Sequence, residues 1–194
     1  MSFVFHLPYS IANEKELVLI PSELCRNNKI FKAYSNAVQA LIKCCEAAAK
    51  QNIFIVVISS YRNFEYQKNL FVDAERRHGR GKGILWVAPP GYSEHHTGYV
   101  FDLADKDCPQ FDDEPGFENT AAGKWLAENA MHFGFRLSFP KNNWQHISYE
   151  PWHWKFVGDA HSKKIFDPLF VLKYLRWLKS VLNGIKMRGF LSLR

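Results

Sequence analysis

The sequence predicts an α+β fold in which a small, mainly antiparallel sheet is flanked by helices. Three observations carry that expectation. Helical and strand periodicities are interleaved along the chain, the strand-like runs are short, and adjacent aromatic strand-like runs come late.

The first element is a helix over Phe31 to Gln51. Apolar Phe31, Tyr34, Val38, Leu41, Ile42, Cys45 and Ala49 recur there at helical spacing, so a stripe faces a core and Cys45 reads as a small buried hydrophobe. "IFIVVIS", Ile53 to Ser59, is a continuous β-branched run of strand length, which predicts a buried strand. Asn63 then caps a helix running to about His78 and stopping at Gly79, with Gln67 one turn inside it. "GRGKG", Gly79 to Gly83, lacks the Gly-Lys-Ser/Thr ending of a phosphate loop and reads as a solvated flexible loop.

After Gly98, "YVFDL" is strand-like. Period two puts Val100 and Asp102 on one face, with Tyr99, Phe101 and Leu103 on the other. Asp105, Asp107, Asp112, Asp113, Glu114 and Glu118, among Pro109, Pro115 and Gly116, describe an acidic surface loop without calcium-loop spacing. Thr120 caps a helix ending near Gly134, "FRLSF" is a short strand, and "ISYEPWHWKFVG" is a further aromatic strand-like segment. The last helix has Asp167 as N-cap, Pro168 at its first position and Gly184 at its stop.

A chain of 194 residues suffices for one sizeable core. We expect one domain over 1–160, including an N-terminal extension, and a C-terminal helical appendage over 161–194. Apolar residues at 47% and charged residues at 23% argue against disorder, and no stretch approaches the ~20 apolar residues of a membrane span. The net charge of +6 is modest and its cations gather in the tail (Lys173, Arg176, Lys179, Lys186, Arg188, Arg194). With no recognition motif either, nucleic acid is not the expected partner. The last helix is apolar on more than one side, which makes core packing its default and self-association or a membrane surface the sharper alternatives. Cys25, Cys44, Cys45 and Cys108 form no CxxC pair, so neither a disulfide framework nor a zinc knuckle is expected. The first 20 residues lack a basic region followed by a long apolar run, so the chain as written reads as cytoplasmic, or as periplasmic or wall-associated if an export signal was removed.

Two clusters stand out chemically. His6, His78, His132, His146 and His161 have no acid or cysteine at ligand spacing and read as ordinary surface or hydrogen-bonded histidines. His95, His96 and Asp102 lie around Gly98, and Glu150 lies three residues before His153. Zinc that catalyses hydrolysis typically takes three protein ligands and leaves a position to water. A histidine and an aspartate from the first cluster with His153 from the second make such a set, and only one of His95 and His96 need point inward. Glu150 precedes Pro151, which favours extended backbone, so its carboxylate could sit beside the metal as general base on a non-helical turn. The helical HExxH plan is absent.

These residues resemble a known family. "SEHHTGYVFD" is similar to the SxHxxGxAxD motif, and "EPWH" to the ExxH motif, of the zinc D-alanyl-D-alanine carboxypeptidases of the vancomycin-resistance type, which share a fold with lysostaphin-like peptidases and the hedgehog signalling domain. "SSYRNFEYQ" matches the SxYR segment with its downstream glutamine. The three motifs fall in order across Ser59 to Gly158, about half the chain. The resemblance implies that His95, Asp102 and His153 bind Zn2+, that Glu150 is the catalytic base, and that Arg62, Ser93 and Gln67 handle the substrate's carboxylate and carbonyl groups. His96 then falls at a variable position, either near the ligands or merely exposed, and is expected to be dispensable. Val100 replaces the motif's alanine and could narrow the site.

The implied reaction is hydrolysis of the terminal D-Ala-D-Ala bond of a peptidoglycan stem peptide or muropeptide. An L,D-carboxypeptidase or endolysin-type endopeptidase of the same fold is the nearest alternative. A non-catalytic zinc-binding interaction domain is the alternative from another class, and Glu150 and Arg62 beside the zinc ligands argue against it.

Overall fold

The computed structural model describes residues 4–167 and residue 173. Four strands, β3 (Ile55–Ser59), β4 (Val100–Asp105), β5 (Phe135–Leu137) and β6 (His153–Phe156), form an antiparallel sheet in the order β3-β4-β6-β5. Helices α1 (Ser35–Ala49), α2 (Phe64–His78), α3 (Ala121–Asn129) and α4 (Ala160–Ile165) surround it. The α+β expectation holds.

Alternation decides which side of the sheet becomes core. Tyr99, Phe101 and Leu103 join Val57, Phe135, Trp154 and Phe156 against Leu41, Cys44 and Cys45 of α1 and Trp125 and Leu126 of α3. Full burial of each large apolar side chain stabilises the fold by about 1.5–3 kcal/mol. Asp102 and His153 are cross-strand partners, and period two keeps both off that apolar side. Cys45 is buried in the core, as expected.

The caps behave as the sequence indicates. Asn63 Oδ1 accepts from the N–H of Tyr66 at 2.8 Å, and α2 ends at Gly79 with φ 96°. Thr120 Oγ1 accepts from the N–H of Gly123 at 3.0 Å, and the turn after α3 ends at Gly134.

Several expectations need correction. The first helix begins at Ser35, because Lys32–Tyr34 is a strand (β2) paired with Leu17–Leu19 (β1). Phe31 and Tyr34 fit helical spacing, but pairing partners remote in sequence decide a segment this short. The 79–83 loop is tied down, since the Glu75 carboxylate accepts from the N–H groups of Gly81 and Gly83 and Gly83 is buried. The acidic segment is only partly surface. Asp105 is buried and accepts from the N–H groups of Asp107 and Ala122, and Arg26 clamps Asp112 through two hydrogen bonds of 2.9 and 2.6 Å. In "ISYEPWHWKFVG" only His153–Phe156 is strand, because Glu150 to His153 is a β-turn closed by the His153 N–H on the Glu150 carbonyl at 3.1 Å, with Pro151 at its second position. Apart from Asp167 and residue 173, the helix expected from Asp167 to Gly184 lies outside the described residues.

Candidate active site

The two motifs meet on the sheet. β4 supplies Asp102, β6 supplies His153 directly opposite, and β3 supplies Ser59 opposite Asp102 after a register shift between Val57 and Ser59. His95 arrives from the single turn Glu94–Thr97 immediately before β4. That turn ends at Gly98 with φ 71°, and a Cβ there would lie 2.9 Å from Leu17 Cδ2, so only glycine turns the chain into β4 without strain. The ligand atoms of His95, Asp102 and His153 lie within 4.8 Å of one another, and all three residues are buried.

Hydrogen bonds behind the rings decide which nitrogens face inward. His95 Nδ1 lies 2.7 Å from the Ser60 carbonyl, which only accepts, so Nδ1 carries the proton and Nε2 a lone pair. His153 Nε2 lies 3.2 Å from Glu94 Oε2, which likewise places the proton on Nε2 of the neutral ring and leaves Nδ1 toward Asp102. His95 Nε2 is 3.1 Å from Asp102 Oδ2, and His153 Nδ1 is 3.0 Å from Asp102 Oδ1. Yet His95 Nε2 and Asp102 Oδ1 are buried without a hydrogen-bond partner among the described residues. These atoms approach one another without hydrogen-bond alignment. Buried polar atoms left unpaired are costly, and a cation at their common focus would satisfy them. Two imidazoles and a carboxylate are a donor set that fits a zinc ion with an open position.

The electrostatics agree with that reading. Burial and the neighbouring Arg62 push His95 down to about 4, so its ring is neutral and able to ligate. Burial alone would lower His153, but Asp102 and Glu94 outweigh it and raise the ring to about 10, so without a metal it holds a proton. Burial would raise Asp102, but His95 and Arg62 hold its carboxyl well below the usual range. Glu150, with Oε2 3.5 Å from His153 Nδ1, is pushed up to about 7 by burial.

The other expected site residues are placed as follows. Arg62 donates from Nη2 to Asp102 Oδ2 at 2.6 Å and from Nε to Ser59 Oγ at 2.9 Å. Ser93 is buried just before the Glu94–Thr97 turn and makes no capping hydrogen bond. Gln67 is buried and donates from Nε2 to the Ala88 carbonyl at 2.8 Å, leaving Oε1 buried and unpaired among the described residues. A carbonyl accepts only, which fixes the amide orientation and makes the free atom of Gln67 an acceptor. Val100 is fully buried.

His96 takes the first of its two expected placements, beside the site, and is not exposed. It is fully buried, its Nδ1 lies 2.7 Å from the Arg62 carbonyl, and its Nε2 accepts from the N–H of Gly91 at 3.0 Å. The ring joins the Arg62 segment to the loop before the motif, so it is neither exposed nor idle.

Sequence reasoning missed Glu94 and Lys155. Glu94 accepts from Tyr9, Ser138, Lys155 and His153, and Lys155 follows His153 at period two on β6. The signals existed. A carboxylate stands beside the candidate ligand His95, and a lysine shares the strand face of the candidate ligand His153.

A family model described as VanY, D-alanyl-D-alanine carboxypeptidase, matches residues 30–159. The putative carboxypeptidase YodJ of Bacillus subtilis (strain 168) is 34% identical over 171 residues, covering 86% of this chain and 62% of that protein. The chain spans between 47% and 62% of the length of the curated relatives it matches. The solved LdcB LD-carboxypeptidase aligns with a TM-score of 0.67 at 33% identity, covering 77% of this chain and 72% of that one. The D,D-dipeptidase VanXYg, solved with a D-Ala-D-Ala phosphinate analogue, aligns with a TM-score of 0.64 at 25% identity, covering 92% and 71%.

Proposed function

The chain belongs to the VanY family of D-alanyl-D-alanine carboxypeptidases, and on that premise we propose that it is a zinc-dependent carboxypeptidase hydrolysing the terminal D-Ala-D-Ala bond of peptidoglycan stem peptides or their precursors. The observation that carries this reading is the convergence of His95 Nε2, both Asp102 oxygens and His153 Nδ1 at 3.0–3.1 Å without hydrogen-bond alignment. Zinc held by these three residues would supply a Lewis acid for the scissile carbonyl and acidify the attacking water.

The chain's own groups supply the rest. Glu150 takes a proton from the attacking water at its carboxylate and returns it to the leaving amine, and a carboxyl raised to about 7 is matched to that exchange near neutral pH. Arg62 has two donors committed to Asp102 and Ser59, and its remaining nitrogen, Nη1, meets the terminal carboxylate or the developing oxyanion. The Ser93 hydroxyl, free of capping duty, serves a substrate carbonyl or carboxylate. Gln67 Oε1 accepts from an N–H of the peptide, a different task from binding its carboxylate. No covalent intermediate is required.

A second reading, L,D-carboxypeptidase activity, is favoured by the 33% identity and TM-score of 0.67 to LdcB. Digestion of defined tripeptide, tetrapeptide and pentapeptide muropeptides, with products weighed by mass spectrometry, separates the two. Loss of one alanine from the pentapeptide with the tetrapeptide untouched supports the first. Trimming of the tetrapeptide supports the second, and no release from any of them by zinc-loaded protein refutes both.

A further inference from the structure

We propose that Glu94 is the positioning residue of His153, through a buried network that also draws in the N-terminal arm. Glu94 is only 4% exposed, and four donors from three parts of the chain surround its carboxylate. Oε1 accepts from Tyr9 Oη at 3.1 Å and from Lys155 Nζ at 3.0 Å. Oε2 accepts from Ser138 Oγ at 2.5 Å and from His153 Nε2 at 3.2 Å. Tyr9 is itself fixed, because its N–H donates to the Gly91 carbonyl at 2.9 Å and that of Ala12 to the His96 carbonyl at 2.7 Å. The arm therefore lies along the ligand-bearing loop, and it precedes residue 30, where the family match begins.

Stability alone does not explain the network. A buried ion pair such as Glu94 with Lys155 contributes little net stabilisation compared with apolar side chains of similar volume. What an apolar replacement would lose is the acceptor for His153 Nε2–H. With that acceptor gone, a half-turn of the ring would put carbon where Nδ1 now faces Asp102. Three donors besides His153 hold the Glu94 carboxylate in place, so the ring is held in one orientation from behind.

This inference rests on His95, Asp102 and His153 being the zinc ligands, and zinc affinity measured by chelator competition separates the two claims. Unaltered protein that binds zinc, with loss in His153→Ala, establishes the ligand set; unaltered protein that binds no zinc overturns both claims. Given binding, Glu94→Leu, which removes the acceptor, is expected to weaken zinc affinity about 10–100-fold, and folded protein within about twofold of the unaltered affinity overturns the inference. Should the unpaired Lys155 prevent folding, Glu94→Leu combined with Lys155→Met removes both charges, and the same loss is expected. The unaltered chain supplies a test independent of any variant. In cadmium-loaded protein with nitrogen-labelled histidine, metal coupling to Nδ1 of His153 with a retained Nε2–H resonance is expected, and coupling to Nε2 overturns the inference.

Discussion

Replacing Glu150 by glutamine should make the metal-free protein more stable, and more so as pH rises. Burial raises the Glu150 carboxyl from its ordinary 4.5 to about 7, and the side chain is 18% exposed. The folded state therefore binds a proton that the unfolded chain has released between those values. Stability linked to this group is fully present below pH 4.5 and is lost as pH rises through about 7. At about 1.4 kcal/mol per pKa unit, the stability lost relative to acid pH is about 1 kcal/mol near pH 5, where only the unfolded chain has released the proton, and about 3 kcal/mol near pH 8, where both states have. Glutamine has the same shape and no charge to lose, so its constant contributions cancel when one variant is compared at two pH values. Urea denaturation of chelator-treated protein, followed by tryptophan fluorescence, should show Glu150→Gln gaining about 2.5 kcal/mol more near pH 8 than near pH 5. A difference under about 0.5 kcal/mol, or a larger gain at the acid end, refutes the argument that burial controls this carboxyl. The same variant should lose about 10²–10⁴-fold in kcat with zinc still bound, so that the carboxylate that destabilises the fold would be the one the proposed chemistry requires.

Because His153 is raised to about 10 by Asp102 and Glu94, zinc binding near neutral pH must displace its proton; calorimetry in buffers of differing ionisation enthalpy should register release of about one proton, and none would contradict the assignment. Gly98→Ala forces a Cβ onto a backbone of φ 71° and to within 2.9 Å of Leu17 Cδ2, which should destabilise the fold by at least about 1–2 kcal/mol in urea titrations; an unchanged midpoint would show that the turn relaxes freely. His96→Ala removes two hydrogen bonds from a fully buried ring and should cost about 2–4 kcal/mol; a loss under about 0.5 kcal/mol by the same assay would restore the view that it is dispensable.

The legible parts of the chain were those where local chemistry and tertiary context agree. Asn63, Gly79, Thr120 and Gly134 mark the helix ends because capping needs only the backbone a few residues away. Period two in "YVFDL" separates Asp102 from the core side because a strand obeys that alternation wherever it lies. Legibility failed where partners outside the segment itself decide. Leu17–Leu19 captures Lys32–Tyr34 from the predicted helix, and Glu75 orders a glycine loop from the preceding helix. At the site, the motif spacing points to His95, Asp102 and His153, but not to Glu94. Its importance depends on Tyr9, Ser138 and Lys155 arriving from 85, 44 and 61 positions away.

The distribution of the site over the fold follows from what each group must do. Asp102 and His153 are cross-strand partners on β4 and β6, so sheet geometry fixes their Cβ separation to about 4.5–5.5 Å. His95 lies outside the sheet, but Ser60, the residue after β3, holds its Nδ1 at 2.7 Å. The proposed ligand set is thereby referred to three neighbouring strands, and a displacement of one member strains the ladder that holds the others. A base that accepts and returns a proton needs a different support. Glu150 stands just outside the ladder on a turn, attached through its own N–H to the Phe139 carbonyl at 3.2 Å and through its carbonyl to the N–H of His153 at 3.1 Å. That attachment sets the proposed base by the backbone of a proposed ligand and leaves its carboxylate the freedom to follow a proton from water to amine. The ExxH spacing is thus a β-turn whose first residue is the proposed base and whose fourth is a proposed metal ligand, and Pro151 between them keeps that turn from becoming strand.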